Sequence, residues 1–417
     1  MKVAIVSDCL PGYHRMWSGA EIIAVTLADM LKSNGCEVSL VTAPFEAEPV
    51  DASSSVHQVW TPLKSLGTLS RNFPIDIGAI FSTYRVLKKL RPDIVHINAK
   101  YLFIPTLIAC LRLKISTIFT VPDYFIFCPT TYIRKPDGSS CTTYHGPECY
   151  ECMSVQGDGA LKKAIGLIPK FLIQGLLTIR ARVFDHFLKK VSAYVVLSES
   201  SKKRLVEYGI PKEKIRLIYH YKLATPRETK EEITNPSAVF VGWMSEENGT
   251  DILVRAFLMA RKKVAGAKLY IVGTGKDDFE EGLKKEIAEA GLTGSVSFLG
   301  KKDNQEALSI ISKCDVAVVP HQWPKEFGPV ILVEALALGK PVITSKVGAT
   351  GEYMVDGENG FLIEEYRSPE AFAEKLLILL SDTERARRMG AKQNDRIAFL
   401  TDDSSAIKAT ELYRSLI

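Results

Sequence analysis

Two carboxylates in "EFGPVILVEALALGKPVI" have the spacing and setting of functional groups. Glu326 precedes an apolar run, and Glu334 stands inside it among Val330, Ile331, Leu332, Val333, Ala335, Leu336 and Leu338. A helix that is apolar all round is a buried helix, and a carboxylate left unpaired inside one is costly. Glu334 therefore needs hydrogen-bond partners. Pro329 suits the first turn of this helix, and Gly328 leaves the backbone open to close approach. The helix N-terminus presents free N–H groups and a positive dipole end to an anion such as phosphate. On the alternative reading, Glu326 merely favours the helix start and Glu334 reaches solvent.

A second group of chemistry-bearing residues is Cys128, Cys141, Cys149 and Cys152, in "CPTTYIRKPDGSSCTTYHGPECYEC". A C-x2-C pair with two further thiols is a tetrahedral metal pattern, most simply structural zinc. His145 is a substitute ligand. Unligated thiols, or iron–sulfur and redox use, are the other readings. Pro136, Asp137, Gly138, Gly146 and Pro147 make the segment a loop without a core of its own, and a metal would give it a reason to be ordered.

The elements that must hold these groups are short β-branched runs separated by helix-like segments. The first half has "KVAIVS", "VSLVT", "DIVHIN", "STIFTV", "AYVVLS" and "IRLIYH"; the second has "AVFVG", "KLYIVG", "VSFLG", "VAVVP" and "PVITS". Continuous apolar strands alternating with helices indicate parallel sheets covered on both faces. A chain of 417 residues exceeds one ordinary core, so the reading is α/β, with two doubly wound domains. The first spans 1–222, the polar stretch 223–236 links it to a second over 237–400, and a final helix at about 401–417 joins the first. Ligands of such sheets bind beyond the carboxyl ends of the strands, so the expected site is the crevice between two facing sheets.

The E-x7-E spacing, followed by "ALALGKPVITSKVGATGEYMVDGENGFLI", closely resembles the donor-binding region of glycosyltransferase family 4. The resemblance extends to "WSGAEI" (17–22), "PDYFIFCP" (122–129), "VVLSESSKKRLVEYGIPKEKIRLIYH" (195–220) and "VGTGKD" (272–277). It implies the GT-B fold, two Rossmann-like domains facing across a cleft, and transfer with retention of anomeric configuration. It also implies that Glu326 contacts the transferred sugar and Glu334 the nucleotide ribose. The donor, a UDP- or GDP-sugar, would lie against Gly242, Trp243, Asn248, Gly273, Gly275, Lys276, Glu326, Phe327, Gly328, Pro329, Val330 and Glu334. A glycan or lipid-linked acceptor would enter past Gly19 and Asp123. In this mechanism the leaving phosphate takes the acceptor proton, and no catalytic metal is expected at the diphosphate.

The chain departs from the family where the second domain opens. The family pattern G-R-L-x-x-E-K-G places an Arg and a Lys against the donor diphosphate, but here "GWMSEENG" has Trp243 and Asn248 in their places. Hydrogen bonds to charged groups contribute roughly 1.5–3 kcal/mol each, so losing two would cost ~3–6 kcal/mol, about 10²–10⁴ in rate. Lys325, Lys346 and Lys276 are nearby candidates to compensate. Pro122-Asp123 replaces the family's His-Asp, leaving Asp123 as the polar member of that pair, and the Phe-Gly pair after Glu326 is displaced by one residue. The competing readings are a non-catalytic relative that binds a nucleotide sugar, and an enzyme using another phosphate-activated donor such as a polyprenyl phosphate sugar.

Composition narrows the rest. The chain is 46% hydrophobic and 24% charged with a net charge of +5, which is mild and does not argue for nucleic acid. The start does not read as a signal peptide and no run reaches a spanning length, so the expected location is cytoplasmic. One basic stretch, "LKKAIGLIPKFLIQGLLTIRARVFDHFLKK" (161–190), suits either helices covering the first sheet or an interfacial helix giving peripheral contact with the inner face of a membrane. Pro169 divides it.

Overall fold

The structure is a computed structural model. It describes all residues except 15–18, 46–54, 65–74, 122, 140, 158–161, 163–164, 220–222, 235, 324–328, 393–394 and 401–403. The chain divides into two compact units, Met1–Tyr221 with Asp402–Ile417, and Lys222–Thr401.

The first unit is built on β1 (Lys2–Ser7), β2 (Glu37–Thr42), β3 (Val56–Gln58), β4 (Ile94–Asn98), β5 (Ser116–Thr120), β6 (Ala193–Val196) and β7 (Ile215–Leu217). They lie in the order β3-β2-β1-β4-β5-β6-β7, every neighbour parallel. β4 is buried along its whole length and β1 from Val3 to Ser7, as a sheet covered by helices on both faces requires. One face packs Val6, Val95, Ile97 and Phe119 against the helices Phe103–Leu113 and Lys170–Leu188. The other packs Val3, Ile5 and Ile94 against Leu27, Leu31, Leu412 and Tyr413, so the last helix, Ser404–Arg414, belongs to this core.

The second unit repeats the plan with β8 (Ser237–Val241), β9 (Lys268–Val272), β10 (Val296–Gly300), β11 (Val316–Val319), β12 (Val342–Ser345) and β13 (Gly360–Ile363). Their order is β10-β9-β8-β11-β12-β13, again all parallel. In both units the chain steps outward from the first strand in one direction and then returns to the other side. The strand order therefore reverses between β1 and β4, and between β8 and β11. At such a point the two following loops leave in opposite directions and open a crevice at the carboxyl ends of the strands.

Candidate functional site

At the switch point of the second unit, β8 runs into Gly242 and β9 into Gly273. Both have positive φ, 154° and 135°. A Cβ on Gly273 would lie 1.9 Å from the Gly242 carbonyl oxygen, so only glycine permits this approach. The Gly242 N–H donates to Val272 O at 2.9 Å and the Gly273 N–H to Gly300 O at 2.8 Å. These glycines thus let strand-end loops lie backbone to backbone, and Met244 bridges Gly275 in the same way. Trp243 projects from this loop, 48% exposed. Asn248 is buried and its Nδ2 donates to the Trp243 carbonyl at 2.6 Å, so it fixes the turn that carries the indole. Lys276 is exposed at the start of the helix Asp277–Glu289 and forms no ion pair among the described residues.

The apolar helix forms as its sequence demands. It spans Val330–Ala337, with Pro329 as its N-cap, and buries Leu332, Val333, Glu334, Ala335 and Leu336. Pro329 stands one position before the expected first turn. Its ψ of 124° is extended, and the helix begins with the next residue. Glu334 is 2% exposed, which removes the solvent-reaching alternative. Its Oε1 accepts from Asn304 Nδ2 at 2.8 Å. Asn304 opens the helix Asn304–Lys313, whose start is fixed by a capping box in which Asp303 accepts from the Glu306 N–H at 2.9 Å. The cap sets the helix start, and the helix start presents Asn304 to the carboxylate. Glu326, Phe327 and Gly328, like Lys325, lie outside the described residues. Lys346 is engaged with Glu364 at 2.5 Å.

In the first unit the corresponding strand ends are occupied by a polar chain. Asp8, just after β1, accepts from the backbone N–H groups of Lys100, Tyr101 and Leu102 at 2.7, 2.9 and 2.9 Å. Three N–H donors stabilise one carboxylate strongly, and they fix the turn after β4. Lys100 then reaches Asp123, after β5, in an ion pair. Asp123 also caps the short turn Tyr124–Ile126 by accepting from Phe125 N at 2.9 Å. Gly19 opens the helix Gly19–Ser33, and buried Asn98 at the end of β4 holds it by donating to Ala20 O at 2.7 Å. Pro122 and residues 17–18 lie outside the described residues.

The four cysteines are drawn into one neighbourhood. Burial and the neighbouring Cys128 and Cys141 push the Cys152 thiol up to about 11. Burial pushes Cys149 up to about 12, against the Gly146 N–H, with Cys128 adding to the rise. The thiols are close enough to feel one another's charge. They do not converge, however: among the described residues no group of three or more His, Cys, Asp or Glu side chains is placed to hold a metal ion. Each thiol instead has a local contact, Cys128 to Thr130 Oγ1 at 3.4 Å, Cys149 to Tyr144 O at 3.3 Å, Cys141 to Tyr144 O at 3.8 Å and Cys152 to Arg134 O at 3.9 Å. His145 is turned away, bonded to Asp185 and Tyr208 at 3.2 and 2.8 Å.

Residues 17–220 match the family model described as Glycosyltransferase Family 4, and residues 224–396 match the model described as Glycosyl transferases group 1. The chain is a family 4 glycosyltransferase relative, and belongs to that family. An uncharacterized glycosyltransferase of Methanocaldococcus jannaschii is 34% identical over 155 residues, 36% of this chain and 40% of that protein. The D-inositol 3-phosphate glycosyltransferase of Corynebacterium glutamicum is 28% identical over 182 residues, 43% of each. These matches thus span about two fifths of those relatives' length. Among solved structures, Anabaena HepE in complex with UDP superposes with a TM-score of 0.67 at 17% identity, covering all of both chains. The fold is the α/β, GT-B class with two Rossmann-like units.

Within this family member, the structure brings Gly242, Gly273, Gly275, Trp243, Asn248 and Lys276 to neighbouring strand ends of one sheet. Glu334 sits on a helix following β11 of the same sheet. Four contributors were not singled out from the sequence: Asp8, Lys100, Gly249 and Asn304. Gly249 has φ 69° and precedes the helix Thr250–Arg261, where an added Cβ would lie 1.9 Å from the Pro320 carbonyl oxygen. Its position seven residues after Gly242 was a visible signal. Asn304 gave none, because its role depends on a contact 30 residues away.

Proposed function

We propose that the protein is a retaining glycosyltransferase that moves a sugar from a nucleoside diphosphate, UDP- or GDP-linked, to a hydroxyl of a glycan or lipid-linked acceptor. One observation carries this reading most: a carboxylate, Glu334, held 2% exposed in an otherwise apolar helix with an amide of its own fold bonded to one oxygen. A buried ionised group kept only for structure can often be replaced by an apolar residue of similar volume without loss of stability. A carboxylate that also accepts from ribose hydroxyls offsets its burial cost in the bound state. The UDP and UDP-glucose complexes of Anabaena HepE support a nucleotide-sugar donor. The donor would lie on the second unit, against Gly242, Gly273, Gly275 and Glu334, with Glu326 on the transferred sugar. The acceptor would enter on the first unit, past Gly19 and Asp123. Lys100 neutralises Asp123, which suits same-face attack with the leaving phosphate as proton acceptor rather than a free carboxylate base.

The test is binding of UDP, GDP and ADP to the wild type and to Glu334→Ala, followed by a panel of nucleotide sugars. Affinity for one nucleotide, reduced at least tenfold in the variant, supports the reading. Unchanged affinity overturns the ribose role. A second reading, a relative that binds without transferring or takes a polyprenyl phosphate sugar, is favoured by the half-exposed Trp243 and internally bonded Asn248 where two cations are expected. Nucleotide binding with no turnover of any donor supports the binding protein, and weak competition by UDP and GDP supports the other donor. The spacing of Cys128, Cys141, Cys149 and Cys152 supports a structural zinc and their described arrangement does not. Zinc and iron per mole of pure protein decide it.

A further inference from the structure

The helix Lys170–Leu188, which the proposed function does not use, has two apolar faces where one would suffice. Ile173, Leu177, Arg180, Phe184 and Leu188 are buried, at the spacing of a single inward stripe. On the opposite face of its first half, Phe171, Leu172, Leu176 and Ile179 are 69%, 48%, 41% and 57% exposed. In the turn before Pro169, Leu167 and Ile168 are 85% and 41% exposed. Six of the eighteen large apolar side chains exposed among the described residues thus fall within thirteen positions. Scattered exposed apolar residues need no explanation, but a contiguous patch marks a binding surface.

The charge around the patch identifies the occupant. The outward face of the second half of the helix carries Arg182 and His186, with Lys189 and Lys190 just after it, and Lys162 and Lys170 are exposed at the other end. Residues 162–190 hold seven of the 53 Lys and Arg but one of the 48 Asp and Glu, a formal +6 against +5 for the whole chain. The single acid, Asp185, is bonded to His145 and Tyr208, and the Glu151 carboxylate lies 3.8 Å from Lys170. A two-fold dimer through this face would set one cationic border against its copy, which like-charge repulsion opposes. An anionic bilayer complements both features, since its headgroups pair with Lys and Arg and its acyl boundary takes Leu and Phe.

We propose that this face docks the protein on an anionic membrane surface, with Leu167, Phe171, Leu172 and Ile179 inserted among the lipids and Arg182, Lys189 and Lys190 at the headgroups. The inference is independent of the donor chemistry above. Its test is co-sedimentation of the full chain with vesicles of phosphatidylcholine alone or containing phosphatidylglycerol. Partitioning at least tenfold stronger into the anionic vesicles and weakened by salt is expected. Leu167→Asp with Phe171→Asp should lower it at least tenfold, and Lys189→Glu with Lys190→Glu several-fold, with circular dichroism and melting unchanged because all four side chains are exposed. Failure to bind anionic vesicles overturns the proposal, as does binding unaffected by the Asp pair. A dimer in analytical ultracentrifugation that the Asp pair dissociates, without vesicle binding, assigns the face to a second copy instead and equally overturns it.

Discussion

The Asn304 amide donates to Glu334, and a bond of this kind would preorganise the carboxylate for the nucleotide proposed above. Asn304→Ala removes a bond to a charged group, a loss of roughly 1.5–3 kcal/mol. We expect nucleotide affinity to fall about tenfold or more by titration calorimetry, while Asn304→Asp, which sets two carboxylates together, lowers it further. A second residue-scale prediction concerns His145. Burial lowers its pKa below the ordinary 6.5, the Arg180 guanidinium at 3.5 Å from Nδ1 lowers it further, and Asp185 opposes. Neutral imidazole satisfies this network, with Nδ1 accepting from Arg180 and the Nε2 proton directed to Asp185. A group whose folded pKa is depressed contributes stability above its unfolded pKa and loses it as pH falls through the folded value. The denaturation midpoint should therefore fall as pH drops below about 6.5, and His145→Gln should flatten that dependence in urea titrations at pH 5.5 and 7.5.

At the scale of elements, what the sequence revealed and what it hid have physical causes. Eleven strands were visible as β-branched runs because both faces of a parallel sheet are buried and no alternation dilutes the signal. β3 and β13 were not. Each is a short edge strand, Val56–Gln58 and Gly360–Ile363, and the second begins with a glycine, which a strand pattern excludes. The Glu334 helix was legible from its unbroken apolarity, yet the carboxylate's partner was not, because Asn304 acts through tertiary contact rather than spacing. The cysteines show the converse. Their spacing is a metal pattern, and the folded loop turns the thiols to backbone and hydroxyl oxygens, Cys141 and Cys149 sharing Tyr144 O, rather than to a common centre. Glycines separate local from tertiary demands just as clearly. Gly282 lies within the helix Asp277–Glu289 with open space where a Cβ would go, so Gly282→Ala should raise stability by about 0.5–1 kcal/mol. Gly273→Ala places a methyl on the Gly242 carbonyl at positive φ and should destabilise the protein by ~3 kcal/mol or more. Thermal melts of the pair test both signs, and a neutral Gly273→Ala would show that the two loops are not locked together.

For the whole molecule, the notable feature is that the chain returns to its first unit at the end. Residues 402–417 cross back after the second unit is complete, and Ala409, Leu412 and Tyr413 enter the core formed by Val3, Ile5, Leu27 and Ile118. Tyr413 is fully buried and hydrogen-bonded to His96 in the middle of β4, while Ser116 donates to Leu416 O at 2.7 Å. One face of the first sheet is therefore covered by a segment about 300 positions away from β5, and the stability of that core depends on it. Removing a buried aromatic side chain costs roughly 3–5 kcal/mol, a large share of the 5–15 kcal/mol typical of a domain. Tyr413→Ala should consequently lower amide protection across β1, β4 and β5 in hydrogen exchange, and leave β8, β9 and β11 protected as in the wild type. Tyr413→Phe, which keeps the ring and loses the hydroxyl bond to His96, should show the same pattern at about 1 kcal/mol. If β8–β13 lose protection in step with β1–β5, the two units unfold together, and the division of the chain into separately stabilised halves is wrong.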